Sequence, residues 1–239
     1  MGTSSDHSGG SGGPWTPFKR AATSYAKHGG ADRAGRMLAR HVATLGGAAA
    51  AAASARTGTT AAQRLGGLLA GVATEGLTPT LERFGLADQV GRDRFEVLDA
   101  LITYIAGSGS DLEAQAARNA ACDILDELFP EGVDYDDLTA VVIDAAALEL
   151  MLTLFLAAYI YNRVPIIAER LTRLGDRHAA ERADGELRDY IRAYVDLQLG
   201  DDPLAIDWTG AEGRLVIEQA IQAVYALLEA YEADESGEP

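Results

Sequence analysis

The side chains best suited to chemistry in this chain are few and widely spaced. Histidines stand at positions 7, 28, 41 and 178, and the one cysteine is Cys122. His178-Ala-Ala-Glu181 would set an imidazole and a carboxylate one turn apart on a helix. Di-iron bundles draw a Glu-x-x-His motif from each of two helices plus further glutamates. Here one motif runs in reverse order, so it reads as a solvated helix face. Asp123 to Asp137 holds seven carboxylates, but their spacing misses the calcium-loop pattern and its central glycine. Helix caps and first turns account for them better. Cys122 lies beside Asp123, whose charge raises a thiol pKa and opposes thiolate chemistry, so a structural role is expected. Gly107-Ser-Gly-Ser110 has no strand before it and reads as a turn and cap, not a nucleophile elbow. Neither Lys19 nor Lys27 follows a phosphate-binding glycine loop. The residue patterns point to no catalytic, cofactor-binding or metal-binding residue.

The elements that would position these groups are helices. The 239 residues are 48% hydrophobic and 7% aromatic, enough to bury a core of small and aliphatic side chains. A net charge of −16 argues against a general binder of nucleic acid or anionic membranes. That charge is uneven: through Arg92 there are ten basic and five acidic residues, and from Asp93 onward ten and 31. A lone cysteine forbids an internal disulfide and fits a reducing cytoplasm. The first twenty residues lack the apolar region of a secretory signal. Val141 to Tyr161 is the most membrane-like stretch, but Asp144 and Glu149 inside it favour a buried core helix. The expected location is therefore cytoplasmic.

Residues 1–17 read as a flexible Gly/Ser-rich N-terminal arm, because nothing apolar after Met1 offsets its ordering entropy before Trp15. Residues 18–233 read as one helical domain with a sub-boundary near 87–92, and 234–239 as an acidic tail. Helices are expected over Ala31–Ala55, interrupted at Gly46-Gly47, and over Thr60–Thr74. The glycines inside the second should require close packing. Thr78-Pro79 reads as a helix start and Gly85 as its end. Phe95, Leu98, Ile102 and Ile105 mark an amphipathic helix. Ser110 with Glu113 reads as a capping box opening the next, which Ala117, Ala121, Ile124 and Leu128 line. A long apolar helix is expected from about Asp137 to Tyr161, broken by Pro165. Leu187, Ile191 and Tyr194 mark another helix, ended at Gly200–Pro203. Thr209 with Glu212 reads as a second capping box, opening a helix striped by Ile217, Ile221, Val224, Leu228 and Tyr231. No alternating run reads as a strand. The predicted fold is all-α, a multi-helix bundle with its arm.

Two stretches carry a family likeness: Met1-Gly2-Thr3-Ser4-Ser5 leading to Pro14-Trp15, and Leu81 to Phe129, LERFGLADQVGRDRFEVLDALITYIAGSGSDLEAQAARNAACDILDELF. Together they resemble the QatB family of the bacterial Qat anti-phage defence system. The resemblance implies a companion set: an ATPase, a TatD-type nuclease, and a QueC-like enzyme of the QatC type. That enzyme class adenylates the carboxylate of a deazaguanine and then lets an amine attack it. The resemblance further implies that the amine is Gly2, exposed after loss of Met1, with Thr3, Ser4, Ser5 and Trp15 as partner-recognition positions. The chain would then be a non-catalytic defence component without a cofactor of its own. It would carry a covalent deazaguanine adduct while the partner consumes ATP. No direct contact with nucleic acid or membrane is expected. The competing reading is a helical scaffold or adaptor that assembles partner subunits and bears an unmodified tail.

Overall fold

The computed structural model describes residues 13–132, 134–199 and 202–235. Among them are twelve α-helices and no strand. The helices are α1 (Trp15–His28), α2 (Ala31–Thr44), α3 (Ala48–Ser54), α4 (Arg56–Glu75), α5 (Leu77–Arg83) and α6 (Arg94–Ala106). They continue with α7 (Leu112–Leu128), α8 (Tyr135–Thr139), α9 (Ala145–Asn162), α10 (Pro165–Thr172), α11 (Arg177–Arg192) and α12 (Ala211–Glu235). The fold is all-α, as the periodicity predicts.

The chain divides into two compact units. The first combines the residues up to Ala51 with Val164–Tyr190 and the segment from Tyr225 onward. Its centre is the α1–α2 hairpin, and α10 packs on α1. The turn uses Gly29 at φ +59° and Gly30 at φ +91°, a left-handed backbone that glycine adopts without steric cost. Phe18, Ala22 and Tyr25 of α1 and Met37, Leu38 and Val42 of α2 are buried. The Tyr25 hydroxyl donates to the Ala183 carbonyl at 2.5 Å. The Gly30 amide donates to Glu186 at 3.2 Å.

The second unit comprises Ala52–Arg163 and Ile191–Val224. Helix α4 is its hub and packs on α5, α6, α7 and α9. Glycine inside a helix is about 1 kcal/mol worse than alanine. Here the missing side chains admit aromatic rings. A Cβ on Gly58 would fall 2.2 Å from the Tyr159 ring, and one on Gly66 would fall 2.6 Å from the Trp208 indole. Trp208 is fully buried, with Nε1 donating to the Pro203 carbonyl at 3.0 Å. Gln63 on α4 donates to the carbonyls of Trp208 and Gly210 at 3.3 and 3.1 Å. The close packing expected of the glycine-rich helix is met by rings at Gly58 and Gly66 and by Arg83 and Thr80 at Gly71.

Several local expectations are corrected. Helix α5 begins at Leu77 after Gly76 at φ +85°, not after Thr78, and the Thr78 hydroxyl pairs with that of Tyr135 at 3.0 Å. Pro79 is then the third residue, where an amide hydrogen has no intrahelical partner to lose. Gly85, at φ +76°, does follow the end of α5. On α6, Phe95 is 74% exposed and Ile102 half-buried, while the inward face is Val97, Leu98, Leu101 and Ile105. Arg94 also turns inward, donating to the Phe129 carbonyl at 2.7 Å and to Asp126 at 2.8 Å. Asp111, not Ser110, caps α7 by accepting the Ala114 amide at 2.7 Å. The expected helix from Asp137 to Tyr161 is two helices, because Asp144 caps α9 and accepts the Ala147 amide at 2.8 Å. Helix α10 opens at Pro165, so the expected break is there. Tyr194 lies beyond the end of α11, and Gly200 and Asp201 fall outside the described residues. Helix α12 starts at Ala211, so Thr209 does not cap it; its hydroxyl donates to Asp207 at 3.0 Å. Ile217, Ile221, Val224 and Leu228 form its buried stripe.

Among the described residues, α9 is the one helix long and apolar enough to cross a membrane. Half of it is buried against the protein. Its partners are α7 and α4, and Leu148, Leu152, Phe155, Leu156 and Tyr159 are fully enclosed.

Candidate functional site at the root of the arm

Gly2, Thr3, Ser4 and Ser5 lie outside the described residues. Trp15 lies inside them, as the first residue of α1. The Thr16 amide donates to the Gly13 carbonyl at 3.1 Å and the Phe18 amide to the Pro14 carbonyl at 3.4 Å. These bonds turn the backbone into the helix. Trp15 is 43% exposed, with its ring edge-on to Phe18 at 5.8 Å. Phe18 in turn lies 5.1 Å from the buried His41 ring. Aromatic pairs of this kind contribute about 0.5–1.5 kcal/mol beyond the area they bury. The root of the arm is thus held by a row of rings.

Beside that root lies a concave surface the sequence reading overlooked. Pro14, Pro17, Arg20, Arg40 and Ala43 line a depression of about 480 Å³. A second, of about 320 Å³, shares Arg20 and Arg40 and adds Ala21, Ser24, Arg33 and Arg36. Among the described residues no carboxylate lines either one. Arg33, Arg36 and Arg40 are spaced by three and four on α2, which places them in one row, and Arg20 faces them from α1. Guanidinium groups donate forked hydrogen bonds to carboxylates and phosphates. Arg36 and Arg40 each already take part in an interaction.

The other candidates resolve into structural roles. His178 pairs with Glu181 at 3.6 Å on a strongly exposed face. Asp134 and Asp137 form the capping box of α8. Cys122 is half-buried. Burial pushes its thiol pKa up, and the Asp126 and Asp123 charges push it further, with Arg118 opposing. Among the described residues no group of three or more His, Cys, Asp and Glu side chains is placed to hold a metal ion. A wider hollow of about 850 Å³ runs between Gly91–Phe95 on one side and Glu131, Gly132 and Asp134–Asp136 on the other, with mixed charges on its walls.

Glu113 belongs to a part-buried cluster that spacing did not reveal. It accepts from Arg163 Nε at 2.7 Å and from the Tyr159 hydroxyl. Arg163 also donates to the Ser54 hydroxyl at 2.6 Å. Ser54, Glu113 and the Tyr159–Arg163 turn lie too far apart in the sequence for any local signal to join them.

The model of a known family, described as Qat anti-phage system associated protein QatB, matches residues 46–228. The chain belongs to the QatB family. The match starts at Gly46 and therefore covers α3 to most of α12, following α1 and α2. No curated protein and no solved structure matches the chain. Family membership makes the protein an anti-phage defence component, and its partners are other components of the Qat system.

Proposed function

We propose that the protein is the acceptor of a covalent modification within that system, and not itself a catalyst. Gly2, freed of Met1, takes a deazaguanine acyl group from a QueC-like enzyme of the QatC type. The enzyme adenylates the deazaguanine carboxylate with ATP: a carboxylate oxygen attacks the α-phosphorus, the bond to the β-phosphate oxygen breaks, and pyrophosphate departs. The Gly2 nitrogen attacks that carbonyl carbon, the bond from carbon to the AMP oxygen breaks, and AMP departs with the electron pair. The proton lost by the amine passes to solvent or to a base of the enzyme. An α-amino group keeps a larger neutral fraction near neutral pH than a lysine side chain, which favours the terminus as nucleophile. Glycine adds no bulk beside that nitrogen.

One observation supports this reading above others. The Gly/Ser-rich segment up to Gly13 carries no apolar residue after Met1, and it meets a helix anchored by Trp15 and Phe18 at once. A polar tether on a fixed root can deliver its end to a recessed pocket in another protein. The ATPase and the TatD-type nuclease are further proposed partners.

Intact-mass and peptide mass spectrometry of the protein made alone, and together with its genomic neighbours, test the proposal. The expected result is an N-terminal fragment heavier by one deazaguanine acyl group only when an active QatC-type enzyme is present. An unmodified fragment under those conditions overturns it and leaves the scaffold reading.

A further inference from the structure

We propose that the end of α12 is a strap that closes over the α1–α2 hairpin through Glu229 and Tyr231. Releasing it loosens the hairpin, and with it the root of the arm, while the second unit stays folded. The family match covers residues 46–228, so α1, α2 and the residues from Glu229 onward lie outside it. The Tyr231 hydroxyl donates to Asp32 on α2 at 3.3 Å, so the two stretches outside the match hold each other directly. Both belong to the first unit.

The strap is seated on a glycine. Gly35 is buried on α2, and a Cβ there would fall 2.7 Å from the Tyr231 ring and 2.6 Å from the Tyr190 hydroxyl. Glycine inside a helix is unfavourable relative to alanine, and at this position its bare backbone is what admits the ring. Glu229 makes the second hold. Its carboxylate accepts the Ala48 amide at 3.2 Å and lies against Gly47, whose Cβ would stand 2.9 Å from it.

The holds differ in strength along the helix, and that makes the strap releasable. Tyr225 and Leu228 are fully enclosed, so α12 is anchored as far as that turn. Beyond it, Glu229 is exposed and Tyr231 half-buried, and Asp32 opposite is exposed as well. Hydrogen bonds at exposed carboxylates compete with water and contribute little. A segment with few buried apolar contacts opens at low free energy, without unfolding the rest. The hairpin keeps other supports on α11, where Glu186 accepts the Gly30 amide and the Ala183 carbonyl accepts the Tyr25 hydroxyl. Release of the strap therefore loosens the hairpin without detaching it.

Hydrogen exchange of the full-length chain, read by mass spectrometry, tests the strap with two variants. Gly35→Ala favours the helical state of α2 yet denies the Tyr231 ring its seat. Faster exchange in α2 then cannot come from a weaker helix. Tyr231→Ala removes the ring from the other side and leaves Tyr190 untouched. The expected result for both is exchange roughly tenfold faster across α1 and α2, with α4, α7 and α9 at the wild-type rate. Should Gly35→Ala fail to fold, Tyr231→Ala decides alone. Wild-type exchange of α1 and α2 in Tyr231→Ala overturns the proposal, whatever Gly35→Ala shows, because the crowding would then lie at Tyr190. Equal acceleration of α4, α7 and α9 overturns it too, since the end of α12 would then be an ordinary part of one cooperative core.

Discussion

A Cβ placed on Gly66 would stand 2.6 Å from Cδ2 of Trp208, so the backbone of α4 and the indole touch directly. Gly66→Ala gains about 1 kcal/mol of helix propensity, yet no room exists for the methyl group. It should lower stability by about 1–3 kcal/mol, the usual cost of overpacking. Gly185 on α11 has open space where its Cβ would be, so Gly185→Ala should instead stabilise by about 0.5–1 kcal/mol. Urea midpoints of the two variants check the contrast, and a shift in the same direction for both would contradict it.

Glu113→Ala should cost about 2–3 kcal/mol. The Arg163 side chain is only 3% exposed and would lose its carboxylate partner. Breaking a buried pair costs about 3–5 kcal/mol, reduced here because Glu113 itself is 30% exposed. Ser54→Ala removes one acceptor of the same guanidinium and should cost about 1 kcal/mol. Denaturant unfolding of both variants gives the ranking.

Deleting residues 2–12 should leave unfolding within about 0.5 kcal/mol of wild type, since they hold no apolar side chain. Trp15→Ala should cost about 1 kcal/mol through its edge contact with Phe18. Calorimetry of the two variants distinguishes arm from root. A large loss on deletion would mean that the arm packs on the body.

Cys122 should alkylate slowly in the folded protein at pH 7.5, because burial first, then Asp126 and Asp123, raise its pKa and suppress the thiolate. Asp126→Asn should speed iodoacetamide labelling. Tyr104 is raised too, by burial, against the lowering effect of Arg64 and Arg83. A folded-state pKa above the unfolded one contributes stability that is present below the unfolded value and lost as pH rises through the folded one. Stability should therefore decline from about pH 8.5 upward, the ordinary thiol range, and Cys122→Ala should blunt the first part of that decline. Urea titrations at pH 7, 9 and 10 measure it.

The helical architecture was legible because apolar spacing and glycine or proline punctuation are local. Ile217 to Leu228 landed on the buried face of α12, and Gly46-Gly47 separates α2 from α3. Caps were misplaced by a residue or two wherever two polar residues competed. Asp111 took the role assigned to Ser110, which freed Glu113 for Arg163. Phe95 misled because hydrophobicity alone does not reveal that Arg94 can bury its stem and reach the Phe129 carbonyl. The arginine row had a signal, three basic residues spaced by three and four. Its meaning depended on Arg20 across the hairpin, which only the folded chain supplies.

The first unit is assembled from three separated stretches, and the last of them, from Tyr225, includes Glu229 and Tyr231. Glu229 accepts the Ala48 amide at 3.2 Å, and Tyr231 donates to Asp32 at 3.3 Å. Translation delivers α1 and α2 well before these two side chains. The hairpin at the root of the arm therefore waits, incomplete, until α12 has been made. A chain that stops short of Tyr225 still presents the same N-terminus, but on a platform lacking its final strut. The support of α1 and α2 is thereby tied to the making of α12.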